Sequence, residues 1–101
     1  MSTEILTVRV IARLVAQPES IESLKSTLSE LVAPVRQQFG CLQYELLQDQ
    51  ANSTHFVFLE EWESQAALDA HAASPIMQMA GDKISGLLAA PAEICLYQLL
   101  M

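Results

Sequence analysis

Three side chains able to move a proton or hold an aromatic ring occur close together in the chain. Glu60 and Trp62 belong to the run 56–62, whose bulky residues alternate as in a β-strand, so Phe58, Glu60 and Trp62 share one face. A carboxylate on an apolar face costs free energy unless it has a partner or a function. His71 follows about two helical turns after the strand, so its imidazole can return toward the strand's end. These residues form a candidate site for acid–base chemistry.

Each of these residues also has a structural interpretation, which the sequence leaves open. Glu60 can equally form a salt bridge with Arg9 or Arg13 on a neighbouring strand. Tryptophan more often packs in a core than takes part in chemistry, and a histidine beside alanines on a helix is usually a packing or capping residue. Residue type alone therefore does not decide between a catalytic and a structural role.

The strands that would position these residues are predicted from alternation of apolar side chains. Four such stretches occur, at 5–14, 41–48, 56–62 and 92–101. The polar run 49–54 between the second and third stretches predicts a β-hairpin.

The helices are predicted from apolar residues that recur at spacings of three and four. One such stripe covers 21–35, and Gly40 is a typical residue just after the end of a helix. Ser64 is the predicted N-cap of a short helix through Ala72, and Ser74, followed by proline, is the predicted N-cap of a further helix.

The order strand, helix, strand, strand, helix, strand predicts an α+β domain of the ferredoxin-like βαββαβ type over residues 1–101. Both helical regions would pack on one face of a four-stranded antiparallel sheet. The strands at 5–14, 56–62 and 92–101 are apolar on both faces, and the chain has no element left to cover the second face. A second copy of the chain is the simplest cover, which predicts a sheet-on-sheet homodimer.

Composition excludes some partners and indicates a compartment. The 101 residues carry a net charge of −7, which disfavours nucleic acid and anionic membrane surfaces as partners. No apolar run approaches the roughly 20 residues of a membrane span, and the N-terminus lacks the features of a signal peptide. Cys41 and Cys95 have no metal-ligand spacing and are expected to be reduced core thiols of a cytoplasmic protein.

Several short motifs extend across nearly the whole chain. They are Gly40-Cys41-Leu42-Gln43-Tyr44, then Glu60-Glu61-Trp62-Glu63-Ser64, Ala67-Leu68, His71 and Ser74-Pro75. This pattern resembles the antibiotic biosynthesis monooxygenase domain family, whose members are small dimeric α+β barrels. The family includes quinol monooxygenases and an isomerase that degrades a bacterial signalling sugar, so the resemblance is more specific for the fold than for the substrate.

The resemblance implies oxygenation of a quinol-like or polyketide-like aromatic by dioxygen, with no metal, flavin or other cofactor. The site would remove a proton from the substrate, and the resulting carbanion or phenolate would reduce dioxygen directly. Oxygen uptake would then depend on a group that titrates near neutral pH. His71 is the implied base, Tyr44 the hydrogen-bond donor and Glu60 a partner or second base.

The same resemblance suggests which side chains contact the substrate. Trp62 would form an aromatic wall, with Phe58 and Met77 beside it, and Arg9 would either reach the pocket or edge the dimer. The pocket could lie between helices and sheet or on the dimer-facing side. The haem-degrading branch of the superfamily relies on an asparagine in the first strand, and this strand has none, which disfavours haem degradation.

Two other functions remain open from the sequence. One is isomerisation or breakdown of a small phosphorylated sugar, which would want cationic groups in the pocket, while the chain has only five Lys and Arg. The other is a non-catalytic dimeric ligand-binding module that has kept the scaffold.

Overall fold

The computed structural model describes residues 7–101, and its elements follow the predicted order. They are β1 (Val8–Val15), a 3₁₀ turn (Pro18–Ser20), α1 (Ile21–Arg36), β2 (Cys41–Gln48), β3 (His55–Trp62), α2 (Gln65–Ala72), α3 (Pro75–Ile84) and β4 (Glu93–Tyr97). The predicted start of the first strand, at residues 5 and 6, lies outside the described residues. The longest of these helices, α1, has 16 residues, and no helix within 7–101 is long and apolar enough to cross a membrane.

The four strands form one antiparallel sheet in the order β2-β3-β1-β4. The predicted ferredoxin-like fold is therefore confirmed. In this order β3 lies in the interior of the sheet, and Glu60 stands between Tyr44 on β2 and Val10 on β1. The register thus places Tyr44 beside Glu60, whose carboxyl group is predicted to be functional.

The core fills the space between the helices and one face of this sheet. Alternate residues of β1 and β3 are buried there, as period-two geometry requires, and they pack against the apolar stripe of α1. The buried residues of these three elements are Val10, Ala12, Leu14, Leu24, Leu28, Leu31, Val35, Phe56, Phe58, Glu60 and Trp62. Each large apolar side chain stabilises the fold by about 1.5–3 kcal/mol, so this burial fixes which face of β3 points toward the helices.

Strict alternation fails at the start of β2. It predicts that Leu42 shares the buried face of Tyr44, but Leu42 is 55% exposed. The cause is an irregular register between Cys41, which pairs with Trp62, and Gln43, which pairs with Glu61. The extra residue of such a β-bulge turns its side chain out of the alternating pattern.

The C-terminal strand is shorter than the predicted 92–101 and is covered by nothing in the described chain. All residues of β4 are exposed, including Cys95, so the prediction that both cysteines are core thiols is wrong for Cys95. An edge strand pairs on one side only, and β4 pairs with β1 alone.

Candidate functional site

A close backbone approach places α2 against the end of the sheet. Gly40 has a φ of +80°, and a Cβ built there would overlap the Cβ of Ala67 on α2. The Gly40 carbonyl accepts a hydrogen bond from the Glu63 N–H at 2.8 Å, and the Ser64 hydroxyl oxygen accepts one from the Ala67 N–H at 3.1 Å. The predicted N-cap at Ser64 is confirmed. Together these contacts start α2 at a fixed position, so that its last turn lies over β3.

His71 on that last turn folds back over the sheet, as the sequence predicts. It is only 6% exposed. Its ring lies on the indole of Trp62, with ring centroids 4.4 Å apart, and its edge meets Tyr44 at 5.8 Å. Tyr44 in turn stacks on Phe58 at 4.7 Å. The imidazole is therefore held among aromatic rings and not in solvent.

Glu60 has a specific polar neighbour on each side. Its Oε1 accepts a hydrogen bond from the Trp62 indole N–H at 2.9 Å and lies 4.0 Å from Nε2 of His71. The alternative salt bridge to Arg9 or Arg13 is wrong, because both arginines point to the opposite face of the sheet. Arg9 pairs instead with Glu61, at 3.5 Å.

Burial changes the acid–base properties of these groups. Desolvation lowers the pKa of His71 to about 4, so its imidazole is neutral at pH 7 and can accept a proton. Desolvation also raises the pKa of Glu60, although the Trp62 hydrogen bond opposes the shift. The pKa of Tyr44 is raised mainly by burial and next by the charge of Glu60. Its hydroxyl therefore stays protonated and can donate a hydrogen bond. With a neutral imidazole 4.0 Å away, the Glu60–His71 contact is neither an ion pair nor a direct hydrogen bond.

A cavity of about 280 Å³ lies beside these groups, between the helices and the sheet. Tyr44, Glu60 and His71 form its polar part, and Phe58 and Met77 contribute to a mainly apolar remainder. A larger hollow of about 540 Å³ lies near the β2–β3 hairpin, but none of the predicted site residues lines it. The smaller cavity is therefore the candidate site, because the side chains that could take part in acid–base chemistry line it.

The structure brings together most, but not all, of the predicted site residues. Trp62 stands behind His71 and supports it without lining the cavity. Arg9 lies on the other side of the sheet, because its neighbour Val10 faces the cavity and successive strand residues alternate.

Gln38, a loop residue between α1 and β2, also contacts His71 and is not predicted from the sequence. Its Oε1 is 2.7 Å from Nδ1 of His71, and its side-chain amide donates to the Ser74 hydroxyl oxygen at 3.2 Å. Ser74 occupies the predicted N-cap position of α3, but its hydroxyl donates to the His71 carbonyl oxygen at 2.7 Å and does not cap α3. No periodic pattern marks a loop glutamine, and only its place just before Gly40 could have drawn attention to it.

The arrangement suits removal of a proton from a bound apolar molecule. A neutral imidazole, which can accept a proton at pH 7, and a carboxyl group share one wall of a mostly apolar cavity. Within residues 7–101, no group of three or more His, Cys, Asp or Glu is placed to hold a metal ion.

Fold and site together define a small α+β domain with an acid–base cavity under its helices. The chain belongs to the antibiotic biosynthesis monooxygenase family, whose model matches residues 7–83. The resemblance inferred from the motifs is thereby confirmed.

Individual proteins are similar to this chain in sequence or in structure. "Uncharacterized protein sll1783" of Synechocystis is 32% identical over 83 residues, which cover 82% of this chain and 56% of that protein. "Putative monooxygenase Rv0793" of Mycobacterium tuberculosis is 35% identical over 68 residues, covering 67% of this chain and 66% of that protein. Each of these sequence matches thus spans less than two thirds of the relative's length. The crystal structure of PA3566 from Pseudomonas aeruginosa matches with a TM-score of 0.91 at 32% identity, covering 98% of this chain and 100% of that one.

Proposed function

We propose that this protein is a cofactor-independent monooxygenase that oxidises a small flat quinol-like or anthrone-like aromatic with dioxygen. The observation that carries the proposal is the buried His71, which is neutral at pH 7 and lines a mostly apolar cavity beside Glu60. Family membership supports the reaction class. The cavity's polar groups lie together in one part, which favours a ligand with one polar edge and an otherwise apolar ring system.

In the proposed reaction, His71 takes a proton from an acidic CH₂ or hydroxyl group of the substrate. The carbanion or phenolate gives one electron to dioxygen, and the resulting radical and superoxide combine to form a C–O bond. The peroxide takes up a proton to give a hydroperoxide. A base then removes the remaining C–H proton as the O–O bond breaks, and the released hydroxide takes up that proton and leaves as water. For a CH₂ group the balance is CH₂ + O₂ → C=O + H₂O, so the substrate supplies every electron and no second reductant is needed.

Tyr44 and Glu60 would assist this sequence in different ways. The Tyr44 hydroxyl, protonated at neutral pH, is the proposed donor to the oxyanion that forms when the proton leaves. Glu60 is the proposed second proton carrier, because its raised pKa lets it exchange a proton with the peroxide or with His71 4.0 Å away. Trp62 would hold both groups in place through its ring and its indole N–H.

The cavity argues against the phosphorylated-sugar alternative. None of the described residues that line it is Lys or Arg, whereas a phosphate group needs cationic partners. Its volume of about 280 Å³ lies just below the range typical of ligand pockets, about 300–1,000 Å³. A compact aromatic therefore fits better than a long polyketide or a charged sugar.

We also propose that a second copy covers the outer face of the sheet. Leu47 and Tyr97 on that face, and Leu99 just after β4, are all exposed in the single chain. Apolar side chains on an open sheet face are typical of an interface, and a homodimer would cover the same face of both copies.

Oxygen uptake tests the proposed activity. The protein is mixed with a panel of anthrones and quinols, and dioxygen consumption and product are followed for the wild type and for His71→Ala. We expect turnover of at least one aromatic, and a loss of about 10²–10⁴-fold in the variant. A panel member that binds tightly without oxygen uptake would favour the non-catalytic binding module instead.

A further inference from the structure

We propose that Gln38 and Ser74 are positioning residues that hold His71 in the tautomer with its proton on Nδ1, so that the bare Nε2 faces the cavity and Glu60. The consequence for catalysis rests on the proposed function, whereas the tautomer itself does not. The inference follows from the hydrogen-bond chain that joins the loop before β2, the end of α2 and the start of α3.

The series of hydrogen bonds can be followed from the His71 carbonyl oxygen, whose role as an acceptor is fixed. The His71 carbonyl oxygen can only accept, so the Ser74 hydroxyl must donate to it, at 2.7 Å. A hydroxyl group has one hydrogen, so toward Gln38 the Ser74 oxygen can only accept. It therefore selects the NH₂ end of the Gln38 amide, which lies 3.2 Å away.

The orientation of the Gln38 amide then decides which nitrogen of the His71 imidazole carries the proton. With its NH₂ group on Ser74, Gln38 presents its carbonyl oxygen to Nδ1 of His71 at 2.7 Å. A carbonyl oxygen has no hydrogen to give, so Nδ1 must carry the proton in this contact. A neutral imidazole has only one N–H, and Nε2 is left with a free lone pair 4.0 Å from Oε1 of Glu60.

This arrangement suits a general base that takes up and releases a proton in every turnover. When Nε2 takes a proton, the Nδ1–H bond to Gln38 is unchanged, so the ring need not rotate before the proton leaves again. The titratable side chains next to the imidazole are Glu60 from β3 and Tyr44 from β2, and Glu60 lies at Nε2, on the edge away from Gln38. Proton uptake and ring orientation are therefore handled on opposite edges of one ring.

Nitrogen-15 NMR of the two imidazoles tests the tautomer without any substrate. The chain has two histidines, and exposed His55 serves as the internal reference in uniformly labelled protein. A long-range ¹H–¹⁵N correlation at pH 7 should show His71 with a protonated Nδ1 and an unprotonated Nε2. His71 protonated on Nε2, or a mixture of the two tautomers, would overturn the proposal.

Matched variants identify the residues responsible. Gln38→Met keeps the approximate size but neither polar group, and it should abolish the single-tautomer pattern. Gln38→Glu keeps an acceptor for Nδ1–H and should retain that pattern. Ser74→Ala frees the Gln38 amide to turn over and should give a mixed pattern. An unchanged pattern in Gln38→Met or in Ser74→Ala would contradict the proposed role of that residue.

If a substrate is found, the same variants should separate in rate. Gln38→Met should lower kcat by about 10²-fold, at the low end of what a general base contributes, with much less change in KM. Gln38→Glu should recover part of the loss. A substrate panel that shows no turnover would refute the monooxygenase, and the NMR pattern would still decide the tautomer.

Discussion

Replacing Gly40 with alanine should destabilise the protein severely, although the change adds one methyl group. The backbone φ of +80° lies in the left-handed region, which costs an ordinary L-residue about 1–2 kcal/mol. The new Cβ would also overlap the Cβ of Ala67, a short side chain on α2 that cannot move aside by rotation. Such overpacking typically costs about 1–3 kcal/mol. The sum is a loss of about 2–5 kcal/mol in the free energy of unfolding.

Chemical and thermal denaturation measure this loss against a matched glycine. At about 4–8 °C per kcal/mol for a domain of this size, Gly40→Ala should lower Tm by at least about 8 °C. The control is Gly81→Ala, because Gly81 lies in α3 and a methyl group added there would meet no neighbouring atom within 4 Å. That change should stabilise the helix by about 0.5–1 kcal/mol. If Gly40→Ala unfolds within about 0.5 kcal/mol of the wild type, the close approach of α2 is not as described.

Three further predictions concern the site and the sheet. Burial lowers the pKa of His71 from 6.5 to about 4, so between about pH 6.5 and pH 4 only the unfolded chain takes up this proton. As the pH falls through that range, the wild type should lose stability relative to His71→Gln, which denaturation at several pH values would measure. Glu60→Leu should cost about 1–3 kcal/mol because it leaves the Trp62 indole N–H without an acceptor, whereas Glu60→Gln keeps one; equal stabilities would refute that pairing. Light scattering should give twice the chain mass for the wild type and the single mass for Tyr97→Asp, and a monomeric wild type would end the dimer proposal.

The sequence predicts best where backbone geometry alone sets the answer. The period of two in β3 turns Phe58, Glu60 and Trp62 inward, and the structure has them there because no bulge interrupts that strand. The same rule fails for Leu42, where the register shifts by a residue. Nothing in the local pattern at Leu42 distinguishes it from a regular strand residue.

Contacts between distant elements are harder to predict, because they depend on how the elements pack. The sequence offers Arg9 or Arg13 as partners for Glu60, but both arginines lie on the opposite face of the sheet. The Trp62 indole N–H donates to Glu60 instead. The chain from Ser74 through Gln38 to His71 joins three elements and follows no periodicity. The lowered pKa of His71, about 4, also comes from tertiary burial, whereas the implied reaction led to the expectation of a group that titrates near neutral pH.

The pH dependence of oxygen uptake tests most directly whether His71 is the base. With an active aromatic substrate, kcat/KM of the wild type should rise with an apparent pKa of about 4 and stay level through neutral pH. Glu60→Gln should shift that rising limb only modestly, while His71→Ala should abolish it along with most of the rate. A rising limb that persists unchanged in His71→Ala would show that another group removes the proton.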